Sequence, residues 1–187
     1  MTGRVLPAPA PDPGFMAEIS RRAGTEAGAC YQCFACSGGC PFYGAMDFGP
    51  HGIMRRLQYG LRDEVLSSNT IWLCVGCHTC SALCPMAIDI SAVMDVLRVL
   101  ALEEGRAVPE PAVLEFHRQV LGSIERYGRT HKLEIMLRHK ARLGGWLQDL
   151  DLGLRMLAKR KLDLRPSSLA DPKALAHLFV KAWRRRS

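Results

Sequence analysis

Every cysteine of this chain belongs to one of two copies of a single pattern. Cys30, Cys33, Cys36 and Cys40 are followed by Pro41, and Cys74, Cys77, Cys80 and Cys84 by Pro85. Both runs read C-x-x-C-x-x-C-x-x-x-C-P, the bacterial-type spacing for [4Fe–4S] ligation. The chemistry explains the spacing. A cubane core needs four thiolates in a tetrahedral array, and three cysteines at steps of three on a tightly wound loop converge on one core. The fourth lies past a turn, and the proline behind it stops the backbone from continuing regularly.

Where two such runs occur together, the fourth cysteine of each ligates the other cluster. The expected sets are therefore Cys30, Cys33, Cys36 and Cys84 for one cluster, and Cys74, Cys77, Cys80 and Cys40 for the other. This crossing would lock the runs together and bring the clusters close. Gly38 and Gly39 lack side chains, so their backbone N–H groups are expected to approach cluster sulfurs.

Other readings of the same residues are weaker. A structural zinc site uses one or two C-x-x-C pairs rather than four ligands per run, twice. Disulfides need an oxidising compartment. Cys74–Cys77–His78 matches the C-x-x-C-H haem signal, but both cysteines already belong to the longer run, which leaves His78 as a solvent-facing or supporting residue. Asp47–Phe48–Gly49 resembles a kinase magnesium motif without the other kinase elements and is read as chance.

The formal charge of +7 counts the thiols as neutral. Eight thiolates and two oxidised cores would bring it to about +3, so the basic excess partly offsets the cofactors and does not argue for nucleic-acid binding. Arg184–Arg185–Arg186 reads as a solvated helix end. The residues through Pro13 are rich in proline and alanine, lack the apolar core of a signal peptide, and are expected to be flexible. No apolar run is long enough to span a bilayer; Ile88–Leu102 is interrupted by Asp89, Asp95 and Arg98. The expected location is the cytoplasm, where thiols stay reduced.

Read in order, Phe15–Arg22 is a short helix that starts near Asp12 or Pro13. Pro50 opens a second, with Ile53, Met54, Leu57 and Leu61 at helical spacing, and Arg62–Leu66 continues it. The link between the runs is thus charged at helical period rather than alternating, which favours an all-helical ferredoxin over the β-rich kind. Tyr31, Phe34, Phe42 and Trp72 beside the cysteines either shield the clusters or fill the core. Asp89 or Ser91 caps a helix with the stripe Ile90, Val93, Met94, Leu97, Leu100 and Ala101, closed near Gly105. Ala112–Tyr127, Leu133–Leu143 and Leu147–Leu162 are amphipathic helices, and Asp171–Pro172 starts another carrying Leu175, Leu178, Phe179 and Trp183. His117, His131, His139 and His177 stand singly and read as surface residues.

The fold class is therefore all-α. A flexible tail (1–14) precedes an α-helical ferredoxin domain with two [4Fe–4S] clusters (15–105) and a C-terminal helical extension (106–187), which reads as core or as a docking region. No phosphate loop, paired acid–base carboxylates or nucleophile signature is present, so no catalytic residue and no substrate site of its own is expected. Competing classes are a catalytic iron–sulfur enzyme, which would need an iron free of cysteine, and a freely diffusing ferredoxin, which would not need the helical extension.

With these motifs in hand, the chain resembles the C subunit of heterodisulfide reductase. The resemblance runs through C-Y-Q-C at Cys30, L-R-D-E-V-L-S before the second run, I-W-L-C-V-G-C-H-T-C around Cys74, E-R-Y-G-R at Glu125–Arg129 and L-G-L-R-M-L-A-K-R-K-L at Leu152–Leu162. It implies an electron relay between a flavin-containing A subunit and a catalytic B subunit. The B subunit carries cysteine-rich CCG motifs with unusual clusters and performs disulfide chemistry. This chain has no adjacent cysteine pair, so that chemistry belongs elsewhere. Relatives serve methanogenic reduction of the coenzyme M–coenzyme B disulfide, flavin-based electron bifurcation, or bacterial oxidation of lipoate-bound sulfur. A composition rich in Arg and Ala leans towards the last.

Overall fold

The computed structural model describes residues 11–144 and, beyond them, Gly153, Arg155, Met156, Ala158 and Lys159. The helix expected at Asp171–Pro172, with Leu175, Leu178, Phe179, Trp183, His177 and the Arg184–Arg186 end, lies outside the described residues, as does most of the Leu147–Leu162 segment. Among the described residues all regular structure is helical. The chain divides into two compact units, Met1–Glu110 and Pro111–Ser187.

The first unit is built on α1 (Phe15–Ala23), α2 (Ala35–Gly38), α3 (Pro50–Gln58), α4 (Arg62–Leu66), α5 (Thr70–Leu73), α6 (Thr79–Ala82) and α7 (Ile90–Glu103). Short 3-10 turns at Ala27–Ala29 and Tyr43–Ala45 join them. The longest helix of this unit, α7, packs against α1, α4, α5 and α6, while α2 lies against α3 and α6. Its apolar stripe, Ile90, Val93, Met94, Leu97, Leu100 and Ala101, is buried along its whole length. Phe15 and Ile19 from α1, Ile53, Met54 and Leu57 from α3, and Ile71 and Trp72 from α5 complete the core. Full burial of such a side chain contributes roughly 1.5–3 kcal/mol, so α7 holds the surrounding short helices that would not persist alone.

Local signals set the boundaries. Asp89 caps α7, its Oδ1 accepting the Ala92 N–H at 3.1 Å, and Gly105 follows the end at φ +64. Pro50 stands at the first turn of α3. The Asp47–Phe48–Gly49 segment has a structural task. Asp47 N–H donates to Asn69 Oδ1 (2.8 Å), Asn69 N–H donates to Asp47 Oδ2 (2.7 Å), and Phe48 N–H donates to Thr70 Oγ1 (3.1 Å). This pairing fastens the loop after the first run to the start of α5. Arg62 ties the ends of the unit together, reaching Asp12 (3.1 Å), Glu18 (2.9 Å) and Glu104 (2.5 Å). Beside it, Asp12 N–H donates to Gly60 O at 2.9 Å. Gly60 has φ +66 and no room for a Cβ, which would stand 2.4 Å from the Asp12 carbonyl oxygen.

The second unit contains α8 (Pro111–Tyr127) and α9 (Lys132–Leu143), which pack together as a helical hairpin. Gly128 turns the chain at φ +72, and the buried Ser123 hydroxyl accepts the His131 N–H at 2.9 Å. Arg126–Glu134 (2.8 Å) near the turn and Arg142–Glu115 (3.8 Å) far from it fix the antiparallel register. His139 differs from the surface residue the sequence suggests. Its Nδ1 is buried, and its ring stands edge-on to Phe116 at 5.8 Å.

Candidate metal centre

The two cysteine runs fold as copies of each other, offset by 44 positions in sequence. Each begins on an extended first cysteine, with Cys30 at φ −65, ψ 115 and Cys74 at φ −67, ψ 117. The third residue of each run is left-handed (Gln32 φ 63, Gly76 φ 65), and so is the fifth (Phe34 φ 69, His78 φ 59). The run then enters a one-turn helix, α2 or α6, that carries the third cysteine. Three of those four left-handed residues are not glycine, a conformation that costs roughly 1–2 kcal/mol each. Alternating handedness turns successive backbone N–H groups to one side and forms a concavity suited to an anion, as at many iron–sulfur sites.

The serine behind each third cysteine anchors the copy. Ser37 Oγ accepts the His51 N–H at 3.0 Å and lies 2.8 Å from His51 Nδ1. Ser81 Oγ accepts the Ser91 N–H at 3.1 Å and donates to Asp89 Oδ1 at 2.8 Å. Each serine therefore docks its run on the N-terminus of the next long helix, α3 or α7. These serines escaped the sequence reading, although the shared Cys-Ser dipeptides at Cys36 and Cys80 were the available signal.

The thiols gather in two places. Cys40 lines one cavity with Cys74, Cys77 and Cys80, together with Phe42, Met46, Ser91 and Met94. Cys36, from the other run, is influenced by Cys30 and Cys33. Tyr31 sits beside Cys33 and senses Cys84 as well; partial desolvation and these two thiols push its phenol up. The third cysteines, Cys36 and Cys80, are the buried ones, and Cys80 feels Cys36 where the runs meet. Cys33 and Cys77 are exposed.

These surroundings fit an iron–sulfur core. Burial pushes Cys80 up to about 11, and Cys74 adds to the rise. Burial also raises Cys36 and Cys74; neighbouring thiols add to both, while Ser37 opposes at Cys36 and the Gly76 N–H and Arg98 oppose at Cys74. Cys77 is lowered, by the Thr79 hydroxyl 3.4 Å away and the Thr79 N–H. Thiols that raise one another ionise together only when positive charge joins them, as an iron core does. Ser91 adds a second sign. Its buried hydroxyl has no partner among the described residues, and the residue lines the cavity of Cys40 and Cys74; a cluster sulfide would accept it.

Trp72 is core, at 2 % exposed, whereas Tyr31, Phe34 and Phe42 are exposed. Phe42 still lines the cavity of Cys40. The Gly38 and Gly39 N–H groups donate to the Phe34 and Ala35 carbonyls, both at 3.1 Å. The missing side chain of Gly39 leaves room for Leu83, whose Cδ1 would stand 2.3 Å from a Cβ there. His78 is solvent-facing, with Nδ1 3.8 Å from Asp89.

Two matching thiol runs in a wholly helical frame define an α-helical dicluster iron–sulfur protein, and residues 29–89 match the 4Fe-4S dicluster domain family. The chain holds two [4Fe–4S] clusters, and its relatives narrow the class. It is 42 % identical over 77 residues to the iron-sulfur C subunit of the CoB–CoM heterodisulfide reductase of Methanopyrus kandleri, covering 41 % of this chain and 40 % of that protein. It is 32 % identical to the C2 subunit of the H(2)/formate:CoB-CoM heterodisulfide,ferredoxin reductase of Methanococcus maripaludis, over 70 % of this chain and 72 % of the relative. It is 31 % identical to a protein of Archaeoglobus profundus named as similar to the heterodisulfide reductase C subunit, over 87 % and 76 %. The chain belongs to the family of heterodisulfide reductase C subunits. For the first of these relatives and two further methanogen proteins, the matched part spans about half their length or less (40–53 %). No described helix is long and apolar enough to cross a membrane.

Proposed function

We propose that this chain is the electron-relay subunit of a heterodisulfide-reductase-type complex, passing electrons between a flavin-containing A subunit and a CCG-type B subunit. Bound clusters supply the one-electron chemistry, and the chain's own residues hold, shield and space them. The ligand sets are crossed: Cys30, Cys33, Cys36 and Cys84 for one cluster, and Cys74, Cys77, Cys80 and Cys40 for the other. The observation that carries this reading is the cavity Cys40 shares with Cys74, Cys77 and Cys80; Tyr31, beside Cys33, is also under the electrostatic influence of Cys84. The helical extension from residue 106 serves as the docking region, and the chain has no substrate site of its own.

The named relatives are subunits of CoB–CoM heterodisulfide reductases, some of them also named for ferredoxin, and an archaeal protein named for its likeness to the C subunit. They support a methanogenic or electron-bifurcating reductase as the setting over lipoate-linked sulfur oxidation, towards which the Arg- and Ala-rich composition leans. The test is anaerobic purification of the tagged chain from its native host. Recovery with a flavoprotein and a CCG-motif protein is the expected result. Recovery alone with both clusters intact would move the protein to the freely diffusing ferredoxins.

A further inference from the structure

The two copies differ at several matched positions, among them Gln32 and Gly76, His51 and Ser91, and Gln58 and Arg98. Helices α3 and α7 follow the first and second runs and are equivalent at an offset of 40, so that Gln58 on α3 corresponds to Arg98 on α7. Both residues do the same job. Gln58 Nε2 donates to the carbonyl of Cys30 at 2.5 Å, and Arg98 Nη1 donates to the carbonyl of Cys74 at 3.0 Å. Each caps the first cysteine of its run. One cap is a neutral amide and the other a guanidinium that stays charged at any working pH.

We propose that this exchange of Gln58 for Arg98 makes the cluster held by Cys74 the more readily reduced of the two, giving the relay a built-in direction towards the second run. The inference rests on the two-cluster reading above. Reduction adds one negative charge to a cluster, and a fixed cation near its ligand favours that state. Arg98 is 14 % exposed at its side chain, whereas its partner Asp95 is 65 % exposed. Water therefore screens the carboxylate more than the guanidinium, and the balance at Cys74 is positive. On the first side, Arg56 is committed to Glu64 at 3.0 Å and to the face of Phe48.

A second difference acts in the same sense, while a third, the Gln32 amide 3.5 Å from Cys30 Sγ where the second run has Gly76, acts against it. Ser91 and His51 are equivalent, each donating its N–H to the serine of its run. The His51 ring is occupied by Ser37 and packs, tilted by 58°, against Phe34 with centroids 4.3 Å apart. The Ser91 hydroxyl is buried without a partner among the described residues and is available to a sulfide. Hydrogen bonds to cluster sulfur raise the potential. Arg98 acts through the Cys74 carbonyl and is a positioning residue, not a ligand.

The experiment is an EPR-monitored redox titration of the anaerobically purified full chain, with iron and sulfide measured on each sample. Wild type is compared with Arg98→Gln, Arg98→Lys and Gln58→Arg. Two midpoints are expected in wild type. Arg98→Gln should lower only the higher one, by at least a tenfold change in the electron's distribution between the clusters, about 59 mV for one electron. Arg98→Lys should stay near wild type, and Gln58→Arg should raise the lower midpoint. Unchanged midpoints in fully loaded Arg98→Gln, or an equal fall in Arg98→Lys, would overturn the proposal. If Arg98→Gln does not retain both clusters, Gln58→Arg decides: a raised lower midpoint supports the assignment and an unmoved one rejects it. Failure of the two-cluster reading would show separately, as wild-type iron well under about eight per chain.

Discussion

Ser81 Oγ accepts the backbone N–H of Ser91 at 3.1 Å, binding the second cysteine run to the N-terminus of the longest helix of its unit. The same hydroxyl donates to the capping carboxylate of Asp89 at 2.8 Å. Ser81→Ala would strand the Ser91 N–H and loosen the cap of α7. The expected loss is about 1–3 kcal/mol, seen as a lower midpoint in anaerobic urea unfolding, with faster bleaching of the cluster held by Cys74. Ser37→Ala should do the same for the other cluster. Equal bleaching of both clusters in each variant would show that the serines do not act run by run.

Gly76 adopts φ +65 in open space, with nothing within 4 Å of the point where a Cβ would stand. Gly76→Ala therefore meets no clash and is penalised by backbone conformation alone, by roughly 1–2 kcal/mol. The converse holds at His78, which carries φ +59 and an exposed ring: His78→Gly should be tolerated or mildly stabilising. Thermal scans of the anaerobic, loaded protein check both. A neutral Gly76→Ala would mean that the loop relaxes when the cluster is bound.

Burial alone would push the Glu104 carboxyl up, but Arg62 and Arg106 hold it below the usual carboxylate range. A folded-state pKa below the unfolded one gives stability that is present above the unfolded value and lost as pH falls through the folded one. Glu104→Gln should therefore lower the urea midpoint at pH 7. The gap from wild type should close as pH falls below about 4, near the ordinary glutamate value. A gap that persists there would assign the effect to packing rather than charge.

Much of this architecture is legible in the chain. The eight cysteines, the start of α3 at Pro50, the Asp89 cap and the buried stripe of α7 all follow from spacing and residue type, because each is fixed by its near neighbours. The one-turn helices α2 and α6 are not, since four residues carry no periodicity and the turns exist only as continuations of the wound loops. Left-handed Gln32, Phe34 and His78 are equally hidden, because the left-handed region is sparsely populated by any residue but glycine and no neighbour in sequence announces it. Gly39 shows the limit best. Its missing side chain suggests an approach to a cluster, yet its neighbour is Leu83, from the other run, 44 residues away in sequence.

The crossed ligation of two clusters is the central claim, and Cys40→Ser tests it most directly. Its EPR spectrum, recorded after anaerobic purification, is set against those of Cys33→Ala and Cys77→Ala, which mark the clusters of the first and second runs. Cys40 lines the cavity of Cys74, Cys77 and Cys80, so Cys40→Ser should perturb the signal that Cys77→Ala perturbs and leave the other intact. A Cys40→Ser spectrum that instead matches Cys33→Ala would contradict the crossing and leave each run holding its own cluster.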